Sequence, residues 1–144
     1  MMNVRIRRLR PDVPLPRYES DDAAAFDLAA AEDTVVNAGG VALVPTGLVV
    51  EVPKGMFLGI FARSSTPVKR GLMIANGVGV IDPDYSGPND EIMIQVRNFT
   101  ATDVRVARGD RLAQGIVLPA PRVTWEEVSA VREASRGGFG ATGS

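Results

Sequence analysis

The hydrophobic positions of the chain fall in short runs that glycine and proline separate. Residues 91–98 alternate cleanly, with Ile92, Ile94 and Val96 on one face, which predicts a strand with one buried side. Residues 56–62 are continuously apolar and predict a strand buried on both faces. Further strands are predicted at 4–9, 34–36, 41–44, 48–52, 104–107, 112–118 and 123–128. Many short strands with such punctuation predict an all-β sandwich or barrel.

One short helix is predicted at residues 64–70. Ser65 or Thr66 is expected to cap it, and Pro67 suits its first turn. No fixed-period repeat and no linker interrupts the chain, so residues 1–134 are predicted to form one domain. Residues 135–144 follow as a glycine-rich tail.

Composition narrows the classes of function. The chain has 144 residues and is 45% hydrophobic, which suits one globular domain. No apolar run approaches the length of a membrane span, and the basic start lacks the apolar core of a secretion signal. We therefore expect a cytoplasmic protein that does not bind membranes. A net charge of −1 argues against nucleic acid as a partner.

Two residue types are missing from the sequence. The absence of Cys excludes disulfides and thiolate metal sites. The absence of His excludes Ser–His nucleophiles, imidazole bases and histidine-bound zinc. Any hydrolytic chemistry must therefore use carboxylates, or a hard metal held by oxygen atoms.

The stretch NGVGVIDPDYSG, residues 76–87, combines the parts of a binding pocket. Gly77 and Gly79 allow sharp turns or a close approach of backbone to a ligand. An apolar strand then ends at Asp82, and Tyr85 places an aromatic ring three residues later. The structural alternative is that Asp82 only caps a turn and that Tyr85 only packs.

The tail SRGGFGATGS contains four glycines, Arg136 and Phe139. Such a segment buries too little surface to order itself, and most glycine-rich ends are simply disordered. An isolated phenylalanine near an arginine nevertheless suits a flap that orders over an anionic, aromatic ligand.

Five segments, in order, resemble the signature motifs of the trimeric dUTP pyrophosphatases, or dUTPases. They are AAAFDLAA (23–30), ARSSTP (62–67), NGVGVIDPDYSG (76–87), RGDRLAQ (108–114) and RGGFGATG (136–143). The resemblance implies a jelly-roll-like β-sandwich or barrel that assembles as a homotrimer with three shared active sites. It also implies Mg²⁺-dependent hydrolysis of dUTP to dUMP and pyrophosphate.

The resemblance assigns roles to residues around the phosphates. Asp82 matches the carboxylate that orients and deprotonates the attacking water, and Asp27 the one that supports Mg²⁺ through water. Phosphate-binding roles fall to Arg63, Ser64, Ser65 and, from a neighbouring subunit, Gln114. Arg108, Asp110 and Arg111 are expected to be turn and interface charges.

The resemblance also assigns recognition of the nucleoside. The hairpin of Asn76, Gly79 and Ile81 would pair with uracil, and Tyr85 would pack under the deoxyribose. Phe139 would stack on uracil. Arg136 would reach the terminal phosphate, although its spacing before Gly-Gly-Phe is contracted and Arg132 is an alternative. A second departure is Pro88-Asn89-Asp90, interpreted as a small loop insertion beside the site.

Two other functions stay open. A dCTP deaminase, or a bifunctional deaminase and pyrophosphatase, shares this fold and has a similar Arg-Ser-Ser segment. A non-catalytic trimeric β-sandwich that binds nucleotides is the second alternative. Asp82, Tyr85 and the Phe139 tail favour the pyrophosphatase.

Overall fold

A computed structural model describes residues 1–140, which form eleven strands and one short helix. The elements are β1 (Arg5–Arg8), β2 (Phe26–Ala29), β3 (Thr34–Val36), β4 (Val41–Pro45), β5 (Leu48–Glu51), β6 (Met56–Ala62), α1 (Ser65–Arg70), β7 (Leu72–Ile74), β8 (Gly79–Ile81), β9 (Met93–Asn98), β10 (Val104–Val106) and β11 (Arg111–Pro119). The all-β prediction with at most one short helix is confirmed. No helix among the described residues is long and apolar enough to cross a membrane.

The strands form four antiparallel sheets. The largest has the order β2-β11-β6-β8, and the next has the order β4-β9-β7. Two small sheets pair β1 with β5 and β3 with β10. In the β1–β5 pair, Arg5 hydrogen-bonds Glu51, and this bond lowers the pKa of the Glu51 carboxyl. Strand β8 lies at an edge of the largest sheet, so one side of its backbone is not paired within the sheet.

One hydrophobic core joins the sheets, as expected for a sandwich. The predicted alternation at residues 91–98 is confirmed, although β9 begins only at Met93: Ile92, Ile94 and Val96 are completely buried while Arg97 is exposed. The predicted central strand at 56–62 is also confirmed, since β6 pairs with β11 on one side and β8 on the other. Fully buried members of the core include Leu28, Val36, Leu58, Leu72, Val106 and Leu112.

Two local predictions are wrong. Residues 123–128 form no strand, and residues 121–140 are all exposed. Their alternating apolar side chains have no sheet edge of the same chain beside them. The helix is present, but Ser64 rather than Ser65 or Thr66 occupies the N-cap position, and its side chain makes no capping hydrogen bond. Thr66 is instead completely buried and serves another purpose.

Candidate active site

Strand β8 delivers Asp82 to a tight turn. The Tyr85 N–H donates to the Asp82 carbonyl oxygen at 3.1 Å, and the Ser86 hydroxyl donates to the Pro83 carbonyl oxygen at 2.9 Å. This turn brings the Asp82 carboxylate and the Tyr85 ring to the same concave surface. The lining residues of this pocket are Val80, Ile81, Asp82, Tyr85, Glu91 and Met93.

The two positions before Asp82 that carry glycine, 77 and 79, require it for different structural reasons. Gly77 has a φ of +76° and donates to the Ile74 carbonyl oxygen, so it makes the turn into β8. At Gly79, a Cβ atom would lie only 2.9 Å from Cβ of Ile60 on β6. Gly79 therefore allows β8 to pack closely on β6, while Asn76 is exposed at the turn.

A second group of polar residues surrounds Asp27 on β2. Its Oδ1 lies 3.1 Å from Nε of Arg63, and its Oδ2 lies 3.1 Å from Nη1 of Arg111. The Asp27 side chain is only 13% exposed, so the two guanidinium groups hold it firmly. Arg111 also pairs with Glu19 at 3.3 Å and is therefore more than a turn charge.

The other two charged residues of this turn, Arg108 and Asp110, have partners from distant parts of the same chain. Arg108 pairs with Asp12 at 2.6 Å. Asp110 accepts a hydrogen bond from Arg70 at 2.9 Å and another from the backbone N–H of Ala107. These contacts join the turn to α1 and to the segment before β2.

Gln114 joins β11 to this second group. It lies opposite Asp27 on β2, and its Nε2 donates to the Ala62 carbonyl oxygen at 3.0 Å. Ser64 and Ser65 follow directly after Arg63, at the start of α1. The structure thus brings Asp27, Arg63 and Gln114 together with the two serines.

Thr66 is a positioning residue that the sequence alone did not identify. Its Oγ1 accepts from the Arg63 backbone N–H at 3.1 Å and donates to the Leu112 carbonyl oxygen at 2.7 Å. The buried hydroxyl therefore fixes the start of α1 against β11. The sequence signal was a threonine directly before Pro67, but this pattern also fits an ordinary helix cap.

The two groups lie far apart in one chain. Ile81, the last residue of β8, pairs with Leu58 near the start of β6. Asp82 follows Ile81 and therefore lies near the start of β6. Arg63 follows the last residue of β6, about 17 Å from Leu58 along the extended strand. A general base must come within hydrogen-bond reach of the proton that it removes. Asp82 and Ser64 of one chain therefore lie too far apart to contact one small group such as a phosphate.

The predicted tail residues are not buried against either group within the chain. Phe139, Arg136 and Arg132 are all exposed. Residues 141–144, which complete the last motif, lie outside the described part of the chain.

The residues around Asp27 fit a magnesium ion that arrives with its ligand. Residues 1–140 contain no cluster of three or more carboxylate, imidazole or thiolate side chains that could hold a metal. Mg²⁺ dehydrates reluctantly and commonly binds through one or two carboxylates, retained waters and substrate phosphates. One half-buried carboxylate suits this kind of indirect contact, and the basic side chains beside it suit the phosphates that would carry the ion.

The family model described as dUTPase matches residues 12–143. The chain belongs to the dUTPase family. Two curated relatives named deoxyuridine 5'-triphosphate nucleotidohydrolase support this assignment. The relative from Anaplasma marginale is 42% identical over 99% of both chains. The one from Thermobifida fusca is 40% identical over 99% of this chain and 79% of the relative.

Solved structures agree with the dUTPase assignment. The dUTPase from Streptococcus mutans is 38% identical and superposes with a TM-score of 0.76 over 83% of this chain and 98% of that one. A mutant dUTPase of Staphylococcus bacteriophage 80alpha superposes with a TM-score of 0.83 over the full length of both chains. It is 22% identical and shows the shared fold alone.

Proposed function

We propose that the chain hydrolyses dUTP to dUMP and pyrophosphate, the activity of the family to which it belongs. The observation that carries this proposal is the turn that presents the Asp82 carboxylate and the Tyr85 ring to one pocket at the end of a glycine hairpin. Such an activity keeps uracil out of DNA and supplies dUMP for thymidylate synthesis.

Uracil recognition is assigned to the hairpin of Asn76, Gly79 and Ile81. Within one chain, β8 is an edge strand, so one side of its backbone is not paired in the sheet. Uracil presents an N3–H donor between two carbonyl acceptors, which backbone groups of such an edge can match. Cytosine reverses part of this pattern and would leave buried polar groups unpaired, which such sites reject strongly.

The second group of residues is assigned to the triphosphate. Arg63, Ser64 and Ser65 would supply a guanidinium group and two hydroxyls to the phosphates, and Gln114 a side-chain amide. Asp27 would support Mg²⁺ through an ordered water. The ion, when bound, neutralises phosphate charge.

Asp82 is assigned the role of the general base. Its carboxylate would orient a water molecule and accept its proton while the water oxygen bonds to the α-phosphorus. The bond to the pyrophosphate oxygen breaks as the new bond forms. An aspartate is a weak base, so most of the acceleration must come from positioning and electrostatic stabilisation.

The active site would be completed between subunits of a homotrimer. The separation of Asp82 from Arg63 within one chain supports this arrangement. The exposed apolar side chains of residues 121–140 support it as well, because a stable chain rarely leaves so many uncovered. They are Val123, Trp125, Val128, Val131 and Phe139. Residues 135–144 would form an arm that closes over the site, with Phe139 on uracil and Arg136 on the terminal phosphate.

Incubation with dUTP and with dCTP tests the proposed activity. We expect dUMP and pyrophosphate from dUTP in the presence of Mg²⁺, and no ammonia from dCTP. Release of ammonia from dCTP would indicate the deaminase. Binding of either nucleotide without any turnover would indicate a non-catalytic nucleotide-binding module.

Replacing Tyr85 by alanine is expected to weaken discrimination against ribose. The ring under the deoxyribose leaves no room for a 2′-hydroxyl, and alanine would open that space. The measurement is the ratio of kcat/KM for dUTP to kcat/KM for UTP, and we expect it to fall at least about 10-fold. An unchanged ratio would show that another group excludes the ribose.

A further inference from the structure

The loop between Tyr85 and β9 is closed by one carboxylate. Asp90 Oδ2 accepts from the Gly87 N–H at 2.8 Å, and the Asp90 N–H donates back to the Gly87 carbonyl oxygen at 3.2 Å. A Cβ atom at Gly87 would lie 2.9 Å from Asp90 Oδ2, so glycine permits this close contact. Residues 87–91 are called the 87–91 loop below.

The 87–91 loop ends at the hydrogen-bond acceptor of Tyr85. The Tyr85 hydroxyl donates to the Glu91 carbonyl oxygen at 2.8 Å. The phenol side chain therefore spans the loop from its base to its end. The conformation of the loop decides where this carbonyl lies, and Asp90 is the residue directly before it.

Both sides of the loop are attached to the rest of the fold. Arg7 Nη1 on β1 donates to the Pro88 carbonyl oxygen at 2.7 Å. The Glu91 side chain accepts from the Gly47 N–H at 2.7 Å. With its ends attached, the loop has one internal side-chain bond that sets its shape, and Asp90 makes it.

We propose that Asp90 is a positioning residue that fixes the Tyr85 ring through the 87–91 loop and thereby sets the rejection of ribonucleotides. This inference rests on the proposed function, in which Tyr85 packs under the deoxyribose. It gives the Pro88-Asn89-Asp90 insertion a role in substrate selectivity. A ring anchored at its tip cannot tilt away from an incoming 2′-hydroxyl.

Three single variants test the proposal. Asp90→Ala removes the acceptor of the Gly87 N–H, and we expect the dUTP-to-UTP ratio of kcat/KM to fall about 3- to 10-fold. Asp90→Asn keeps an oxygen acceptor and is expected to retain the wild-type ratio. The matched control is Asp103→Ala, which removes a similar bond in another loop, where the Ala38 N–H donates to the Asp103 carboxylate. It should also leave the ratio unchanged.

A double-mutant cycle separates positioning from general loop stability. Tyr85→Phe keeps the ring but removes its bond to Glu91, so we expect a fall of similar size in the ratio. If Asp90 acts through this bond, adding Asp90→Ala to Tyr85→Phe lowers the ratio no further. A purely structural role for Asp90 would lower the ratio by the same factor in both backgrounds.

The possible failures are distinguishable. An unchanged ratio in Asp90→Ala, in a wild-type background that hydrolyses dUTP and discriminates against UTP, would overturn this inference alone. Independent, multiplicative effects in the double mutant would also overturn it. A wild-type chain that does not hydrolyse dUTP would overturn the proposed function instead.

Discussion

Replacing Asp82 by asparagine is expected to lower kcat for dUTP hydrolysis by about 10²- to 10⁴-fold, the usual contribution of a general base. Asparagine keeps the size and shape of the side chain but cannot accept the proton of the attacking water. Asp82 is exposed at the end of β8, so the fold should not change. The measurements are steady-state kinetics with dUTP and the thermal unfolding midpoint.

The matched control for this prediction is Asp84→Asn. Asp84 is exposed in the same turn, two positions further along the chain, and no role is assigned to it. We expect its kcat to stay within about 2-fold of wild type, as for a surface substitution away from special features. Equal losses in the two variants would point to the charge of the turn rather than to one base. Full activity of Asp82→Asn would exclude Asp82 as the base.

Removal of residues 135–144 is expected to leave a folded trimer with little activity. Stacking of one base on an aromatic ring is worth about 1–3 kcal/mol, and a hydrogen bond to a charged group about 1.5–3 kcal/mol. Loss of both contacts predicts a fall in kcat/KM of at least about 10²-fold. Kinetics, molar mass in solution and the unfolding midpoint measure the two parts of this prediction.

Point variants show which side chains account for the loss of activity on removal of residues 135–144. Phe139→Ala should reproduce a large part of the loss, and Phe139→Trp should restore a stacking surface and most of the activity. Arg136→Ala and Arg132→Ala decide which arginine reaches the terminal phosphate, because only that one should raise KM strongly. Unfolding on truncation would show that the segment is structural, and full retained turnover would show that the arm is dispensable.

The hydrophobic pattern predicts those strands whose packing partners belong to the same chain. The alternation at Ile92, Ile94 and Val96 determines one buried face of β9 and of the residue before it, whatever the rest of the fold does. The continuous apolar run of β6 predicts a central strand for the same reason, since both of its neighbours, β11 and β8, belong to this chain.

The prediction for residues 123–128 failed because a strand needs a partner. The segment has strand-like apolar positions, but Val123 and Trp125 are exposed in the single chain. Hydrophobic periodicity shows that a segment can pair, and it does not show that a free edge lies beside it. Under the proposed trimer, such an edge would belong to another subunit.

Motifs located the parts of the site, but not the bonds that hold them. Asp27, Arg63 and Gln114 stand in separate motifs, and the structure brings them together. The motifs did not reveal that the buried hydroxyl of Thr66 links α1 to β11, nor that Arg111 contacts Asp27. Contacts over 46 or 84 positions in sequence depend on strand register, which local patterns do not specify.

Mixed trimers test the central claim most directly, namely that Asp82 of one subunit acts on phosphates held by Arg63 of another. Asp82→Asn and Arg63→Ala chains, each inactive alone, are co-expressed with different tags, and trimers carrying both tags are purified. Each mixed trimer should contain one intact site of three in a cyclic assembly, or about one third of wild-type activity. If both residues serve the same site from the same chain, the mixed trimers will stay as inactive as either parent.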